Sequence, residues 1–167
     1  MKQLIAIAGK SGAGKSTLAE ALAVLYDLPR DSFATPIRWA LQELGVAAPY
    51  PRRLMQRLGR CLRDEDPDHF VKLLALRNPA FSQTGLVIDD VRYENEYRWL
   101  RDHGFVLIYL KGSFRPLEGE EAEDESETAL SPERVRFDLV LPAGSSVVQR
   151  VAAVSRLLRD PALSPVA

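Results

Sequence analysis

The chain carries one cysteine, Cys61, and two histidines, His69 and His103, among its 167 residues. A lone thiol excludes an internal disulfide, and without a Cys/His cluster there is no pattern for a structural zinc site; both point to a reducing compartment. No apolar run approaches the ~18 residues of a membrane span. Met1 leads directly into the first apolar segment, which leaves no room for a signal peptide, so the expectation is a cytosolic protein without a membrane partner. The formal net charge of -1 lacks the basic surplus of a general nucleic-acid binder, and no stable nucleic-acid partner is expected. Internal repeats and linkers are also missing, and 167 residues suit one domain with a sizeable core, since domains usually run to ~50–250 residues.

What is present is concentrated at the start. Leu4 to Ala8 reads as a buried strand, Ser16 to Tyr26 as a helix, and between them Gly9-Lys10-Ser11-Gly12-Ala13-Gly14-Lys15-Ser16 matches the full phosphate-binding pattern G-x-x-x-x-G-K-[ST]. Gly9, Gly12 and Gly14 let successive backbone N–H groups approach phosphate oxygens, and the helix start adds unpaired amides and the positive end of its dipole. Gly12, Ala13, Gly14, Lys15, Ser16 and Thr17 are therefore the candidate cofactor-binding residues. In this chemistry Lys15 reaches the β- and γ-phosphates of ATP and Ser16 ligates Mg²⁺. Lys10 and Thr17 have equally good structural readings, as an exposed loop cation and a helix-start hydroxyl.

Further along, the charges are unevenly placed, with arginines gathered between Arg52 and Arg63 and acids between Glu118 and Glu127. A short edge strand is expected near Arg30 and a helix from Thr35-Pro36 to Leu44, with Thr35 as the cap. Helical spacing over Arg52–Arg63 puts Leu54, Met55, Leu58, Cys61 and Leu62 on one face and Arg53, Gln56, Arg57, Arg60 and Arg63 on the other. That basic face is either a solvated surface or a wall facing an anion. Gly85 to Asp90 is a second apolar strand running into two carboxylates, Asp89 and Asp90. In a parallel α/β sheet such acids point toward the phosphate site, as a Mg²⁺ partner, a general base, or one of them as a cap for the helix beginning near Tyr93. Arg92 follows at once, able either to hold a substrate phosphate or to pair with those acids. A helix from Glu94 to His103, a strand to Leu110, an acidic lid-like loop over 112–131, a strand ending at Leu141 and a helix from Val147 to Arg159 complete the pattern. The fold class expected is α/β, a three-layer α/β/α arrangement on a central parallel sheet of about five strands. Its core is expected over 1–34 and 85–167, with a helical substrate-binding insert over 35–80 and a short lid over 112–131.

Phe33-Ala34-x-Pro36-Ile37-Arg38, Gln56-Arg57-Leu58-Gly59, Asp66-Pro67, Asp90-Val91-Arg92-Tyr93-x-Asn95-Glu96, Arg115-Pro116 and Ser126-Glu127 occur in this order after the phosphate loop. Together they resemble the deoxynucleoside monophosphate kinase family common in tailed bacteriophages, over nearly the whole chain. The resemblance implies ATP and Mg²⁺ as cofactors, a deoxynucleoside monophosphate as small-molecule partner and, for a phage protein, the host cytoplasm as location. It also implies Asp90 as the acid near the metal and the acceptor phosphate, and Arg92 as a ligand of that phosphate. Arg38, Gln56 and Arg63 would line the acceptor pocket, and Arg115, at the root of the lid, would stabilise the transferring phosphoryl group. Two departures stand out: the family usually has lysine where Arg38 stands, and the stretch around Pro29 is a poor strand. A homodimer is compatible with the sequence, which does not fix the oligomeric state.

The reaction implied is transfer of the γ-phosphoryl group of ATP to the acceptor's 5′-phosphate, with catalysis by positioning and charge neutralisation. Catalytic candidates are Lys15, Asp90, Arg92 and Arg115, and metal candidates are Ser16 and Asp90. The competing readings are another small-molecule kinase, such as a dephospho-coenzyme A kinase-like enzyme, a nucleotide-dependent switch, and an enzyme that phosphorylates nucleic-acid ends. The absence of an N-K-x-D guanine-specificity element speaks against a switch.

Overall fold

β1 (Leu4–Gly9) is the centre of a five-stranded parallel sheet in the order β2-β3-β1-β4-β5. In the computed structural model, which describes residues 2–112, Asp124 and 128–160, β1 leads through the glycine-rich turn into α1 (Lys15–Tyr26). Then come β2 (Arg30–Asp31), α2 (Thr35–Glu43), α3 (Arg52–Glu65), α4 (His69–Arg77), the single turn α5 (Phe81–Thr84) and β3 (Leu86–Val91). The chain continues through α6 (Glu94–Asp102), β4 (Val106–Leu110), β5 (Leu139–Leu141) and α7 (Val147–Arg159).

β1 sits between β3 and β4, with Ala6 opposite Ile88 and Ile7 opposite Ile108. Because strand side chains alternate and both faces are covered, the apolar run of β1 divides between two cores. Ile5 and Ile7, with Val87 and Ile108, pack on Leu18 and Leu22 of α1 and Val154 of α7. Ala6 and Ala8, with Ile88 and Leu107, pack on the other side beneath Phe33, Ile37, Leu41, Phe70, Leu74 and Leu100. Every strand of the sheet thus has its carboxyl end on one edge, where β1 delivers the loop and β3 delivers Asp89 and Asp90.

Several helix boundaries follow from their signals. Ser146 caps α7, accepting from the Gln149 amide at 3.3 Å while the Gln149 side chain accepts from the Ser146 amide at 2.8 Å. β2 has only two residues at the sheet edge, as the proline beside it requires. His103 closes α6 with Nδ1 2.7 Å from the Trp99 carbonyl, in its helix-terminal role.

Two expectations are corrected. Thr35 does not cap α2: its hydroxyl donates to Asp31 at 2.9 Å, and the amides of Phe33 and Ala34 donate instead to the Asp90 carboxylate at 2.8 and 2.9 Å. The faces of α3 depart only in part from their expected setting: Leu54, Met55 and Leu58 pack against the core and Arg53, Arg57 and Arg60 are exposed, as expected. Cys61 and Leu62 are exposed, whereas Gln56, Gly59 and Arg63, spaced along one stripe, face inward. Helical periodicity identifies a stripe but not its outlook when the space it faces is a polar cavity rather than an apolar core.

Candidate active site

The loop after β1 is held from both sides. Gly14 ends it at φ 88°, a left-handed conformation open to glycine at little cost. A Cβ there would also come within 2.9 Å of the Arg150 guanidinium. Arg150, on α7 and 3% exposed, donates to the Ala13 carbonyl at 2.8 Å and to the Ser145 hydroxyl at 3.0 Å, so a buried cation braces the loop through neutral partners. Lys15 is also buried, and its Nζ donates to the carbonyls of Gly9 and Lys10, each at 2.8 Å. The ammonium therefore stands at the loop's mouth, among the amides of a helix start.

Two cavities adjoin the carboxyl edge of the sheet. One, about 580 Å³, is lined by Ser16 of the loop, Asp89 of β3, Arg30 and Asp31 of β2, and Arg38 and Trp39 of α2. Asp89 pairs there with Arg30 at 3.0 Å. Asp31 accepts from Arg77 Nε, Asn78 Nδ2, the Thr35 hydroxyl and the Ser32 amide. Burial pushes the Asp31 carboxyl up, but those four hydrogen bonds outweigh it and hold the group below its ordinary value.

The other cavity, about 200 Å³, is lined by Arg38, Arg52, Gln56, Arg63, Asp90 and Arg92. Its apolar walls are Phe33, Ile37, Tyr50, Met55 and Tyr93. Burial, and then the charge of Asp89, push the Asp90 carboxyl above its usual range, against the amides of Ala34 and Phe33 and the charge of Arg38. Arg38 lines both cavities and donates to the Ser32 hydroxyl at 2.8 Å.

This arrangement has counterparts among solved structures. The chain is similar to a sugar kinase from Janibacter sp. HTCC2649, with 18% identity, 99% of this chain and 100% of that one covered, and a TM-score of 0.62. It is similar to shikimate kinase from Aquifex aeolicus, at 14% identity, 98% and 100% coverage and a TM-score of 0.64. A gluconokinase from Sinorhizobium meliloti gives 17% identity, 96% coverage of both chains and a TM-score of 0.58. The fold is that of P-loop kinases. No family model and no curated protein matches the sequence.

Within this P-loop kinase fold the predicted residues separate into two groups. Gly12, Ala13, Gly14, Lys15, Ser16 and Thr17 are contiguous in the loop and first turn, with Thr17 exposed. Arg38, Gln56, Arg63, Asp90 and Arg92 come together around the second cavity from four separate segments. Asp90 lies there rather than in the cavity with Ser16, its carboxylate spent on the start of α2, while Asp89 and Asp31 line the cavity with Ser16. The capping role weighed for one of the two acids falls on Asp90, for a different helix, and α6 is capped by its own Glu96. Arg115 and the Ser126-Glu127 pair lie outside the described residues. Sequence reasoning assigned no role to Arg150, Arg52, Glu96 or the Asp31 cluster; Arg52 had a signal as the first of the gathered arginines and Glu96 as the last residue of the Asp-Val-Arg-Tyr-x-Asn-Glu segment. Among the described residues no helix is long and apolar enough to cross a membrane.

Proposed function

We propose that the chain is an ATP-dependent kinase that transfers the γ-phosphoryl group to the phosphate of a deoxynucleoside monophosphate. The observation that carries the reading is the meeting of two cavities at Arg38, one containing the loop serine and the other four arginines with a single acid, Asp90. A catalyst that joins two anions needs cations on both sides of the transferring group, and little covalent chemistry. The apolar walls Phe33, Ile37, Tyr50, Met55 and Tyr93 suit a flat base, and Arg38 and Arg92 suit the acceptor phosphate through bidentate hydrogen bonds. An acceptor phosphate is already ionised near neutral pH, so no general base is required.

On the donor side Lys15 exchanges its bonds to Gly9 and Lys10 for β- and γ-phosphate oxygens, and the loop amides hold the remaining charge. The Ser16 hydroxyl and the Asp89 carboxylate, facing one polar cavity, are hard oxygen donors of the type Mg²⁺ takes. Bound there with the phosphates, Mg²⁺ would neutralise charge between donor oxygens. In this reading Asp89 takes the metal role and Asp90 sets the α2 start that carries Arg38. Arg115 is retained as the lid cation.

A second reading, a hydroxyl acceptor, is favoured by Asp31 and Asp89 lining the cavity with Ser16, since attack by a hydroxyl uses a base. The two are separated by a coupled ADP-release assay over deoxy- and ribonucleoside monophosphates, dephospho-coenzyme A, shikimate and gluconate. Turnover with a deoxynucleoside monophosphate supports the proposal. Turnover with hydroxy acids alone, or ADP release unaffected by any acceptor, overturns it.

A further inference from the structure

We propose that Glu96 is the positioning residue of the acceptor cavity: its buried carboxylate ties Arg63 of α3 to the backbone amides that open α6, and so sets the cavity's grip on an anionic acceptor. The inference rests on the reading of that cavity as the acceptor site.

Glu96 is 1% exposed and does not line the cavity itself. One of its oxygens accepts from the Arg63 guanidinium at 2.9 Å, and the other accepts from the amides of Arg92 and Tyr93 at 2.9 and 3.1 Å. Three residues that do line the cavity, from two different elements, thus share one carboxylate. Arg63 is fixed on its faces as well, with its guanidinium 3.8 Å from the centre of the Tyr93 ring and 4.3 Å from that of Phe70. Gly59, one turn earlier on α3, leaves the room this needs, because a Cβ there would stand 2.9 Å from an Arg63 nitrogen. An arginine held on its faces and at one end has given up its rotamer freedom before a ligand arrives, which is how preorganisation raises affinity.

A second property of the group makes the idea testable. Burial pushes the Glu96 carboxyl up to about 7, the charge of Asp90 adding to it and Arg63 and the Arg92 amide opposing it. Among the described residues, Arg63 from α3 and Asp90 from β3 are the charged groups that act on Glu96, while Phe70 of α4 covers a face of the Arg63 guanidinium. The ionised carboxylate accepts on both oxygens. Protonated, it carries a donor on one of them and loses either Arg63 or the amide pair, which is also what Glu96→Gln does.

The test is equilibrium binding of a deoxynucleoside monophosphate, with inorganic phosphate as a second probe, to the wild-type protein and Glu96→Gln at about pH 6 and about pH 8. The variant should bind about tenfold more weakly at the higher pH and within about twofold of wild type at the lower, with equal affinity for an ATP analogue throughout. The substrate's own ionisation cancels in the ratio. A ratio independent of pH, or a parallel loss of ATP-analogue affinity, overturns the proposal as a purely structural effect. Should the variant not fold, calorimetry of the wild type in buffers of different ionisation enthalpy near neutral pH should find release of about half a proton on acceptor binding beyond what the acceptor phosphate's own ionisation supplies, and no such excess refutes the idea. A wild-type protein that binds neither probe refutes the acceptor reading together with this one, whereas binding with a pH-independent ratio refutes only the role of Glu96.

Discussion

The phosphate loop is built from backbone, and the second cavity from side chains; in the proposed reading they are the donor and acceptor halves of one site. The loop from Gly9 to Ser16 is contiguous and takes its chemistry from amides, left-handed glycines and a helix start. The second cavity draws Arg38 from α2, Gln56 and Arg63 from α3, Asp90 from β3 and Arg92 from the turn before α6. Backbone sites tolerate change around them as long as the turn survives, while side-chain sites depend on every element that carries a ligand. The two halves should therefore fail in different ways when mutated.

The largest effect is expected at Lys15. Lys15→Ala should lower phosphoryl transfer by roughly a thousandfold or more, since it removes the cation that faces the transferring group. Circular dichroism and thermal unfolding should stay close to wild type; substantial retained turnover would break the assignment of the donor half.

Arg150 tests whether that half depends on a remote support. Replacing it with Met leaves the Ala13 carbonyl without its donor, at a cost of about 1–3 kcal/mol. The KM for ATP should rise and that for the acceptor stay unchanged, in steady-state kinetics with each substrate varied in turn. Equal increases in both would mean that Arg150 serves the fold rather than the loop.

The two neighbouring aspartates sharpen the division further. Asp89→Asn should raise the Mg²⁺ concentration needed for half-maximal rate by about tenfold, since Asp89 and Ser16 line one cavity. Asp90→Asn should instead weaken acceptor binding and lower stability by about 1–2 kcal/mol in urea unfolding, because the carboxylate accepts from two backbone amides. An exchange of these phenotypes would return the metal role to Asp90.

The effect hardest to see in activity is a pH dependence of stability. Glu96 moves from an ordinary 4.5 to about 7 in the folded protein, so the folded state binds more protons between those values. Its contribution to stability should fall as pH rises through that window, by at most about 1.4 kcal/mol per pH unit. Asp31, lowered on folding, works the other way: its contribution is present above its ordinary value of 3.8 and is lost as pH falls below it. Urea titrations of wild type and Glu96→Gln across the window should differ in slope with that sign.

Legibility in the sequence follows the same division. The loop, the strand ending in Asp89-Asp90 and the helix from Val147 were readable because their chemistry lies within a few consecutive residues. The parallel sheet followed from strands and helices in alternation. Of the residues around the second cavity, Gln56 and Arg63 were legible as one face of a basic helix and Arg92 as a cation at a strand end, and Arg38 came only through ordered motifs that resemble a family; no local pattern says that these residues meet across one cavity. The roles of Asp89 and Asp90 could not be divided by spacing, because neighbouring strand residues face opposite sides and the choice depends on where α2 begins. Arg150 left no trace at all: 137 residues separate it from the carbonyl it holds.

In the proposed reaction the two cavities hold a donor and a phosphate-bearing acceptor. The direct test is incubation with ATP labelled in its γ-phosphate, Mg²⁺ and each deoxynucleoside monophosphate, with the products separated by chromatography. Label in a deoxynucleoside diphosphate is the predicted result. Label found only in inorganic phosphate, or remaining in ATP with every monophosphate, would contradict it.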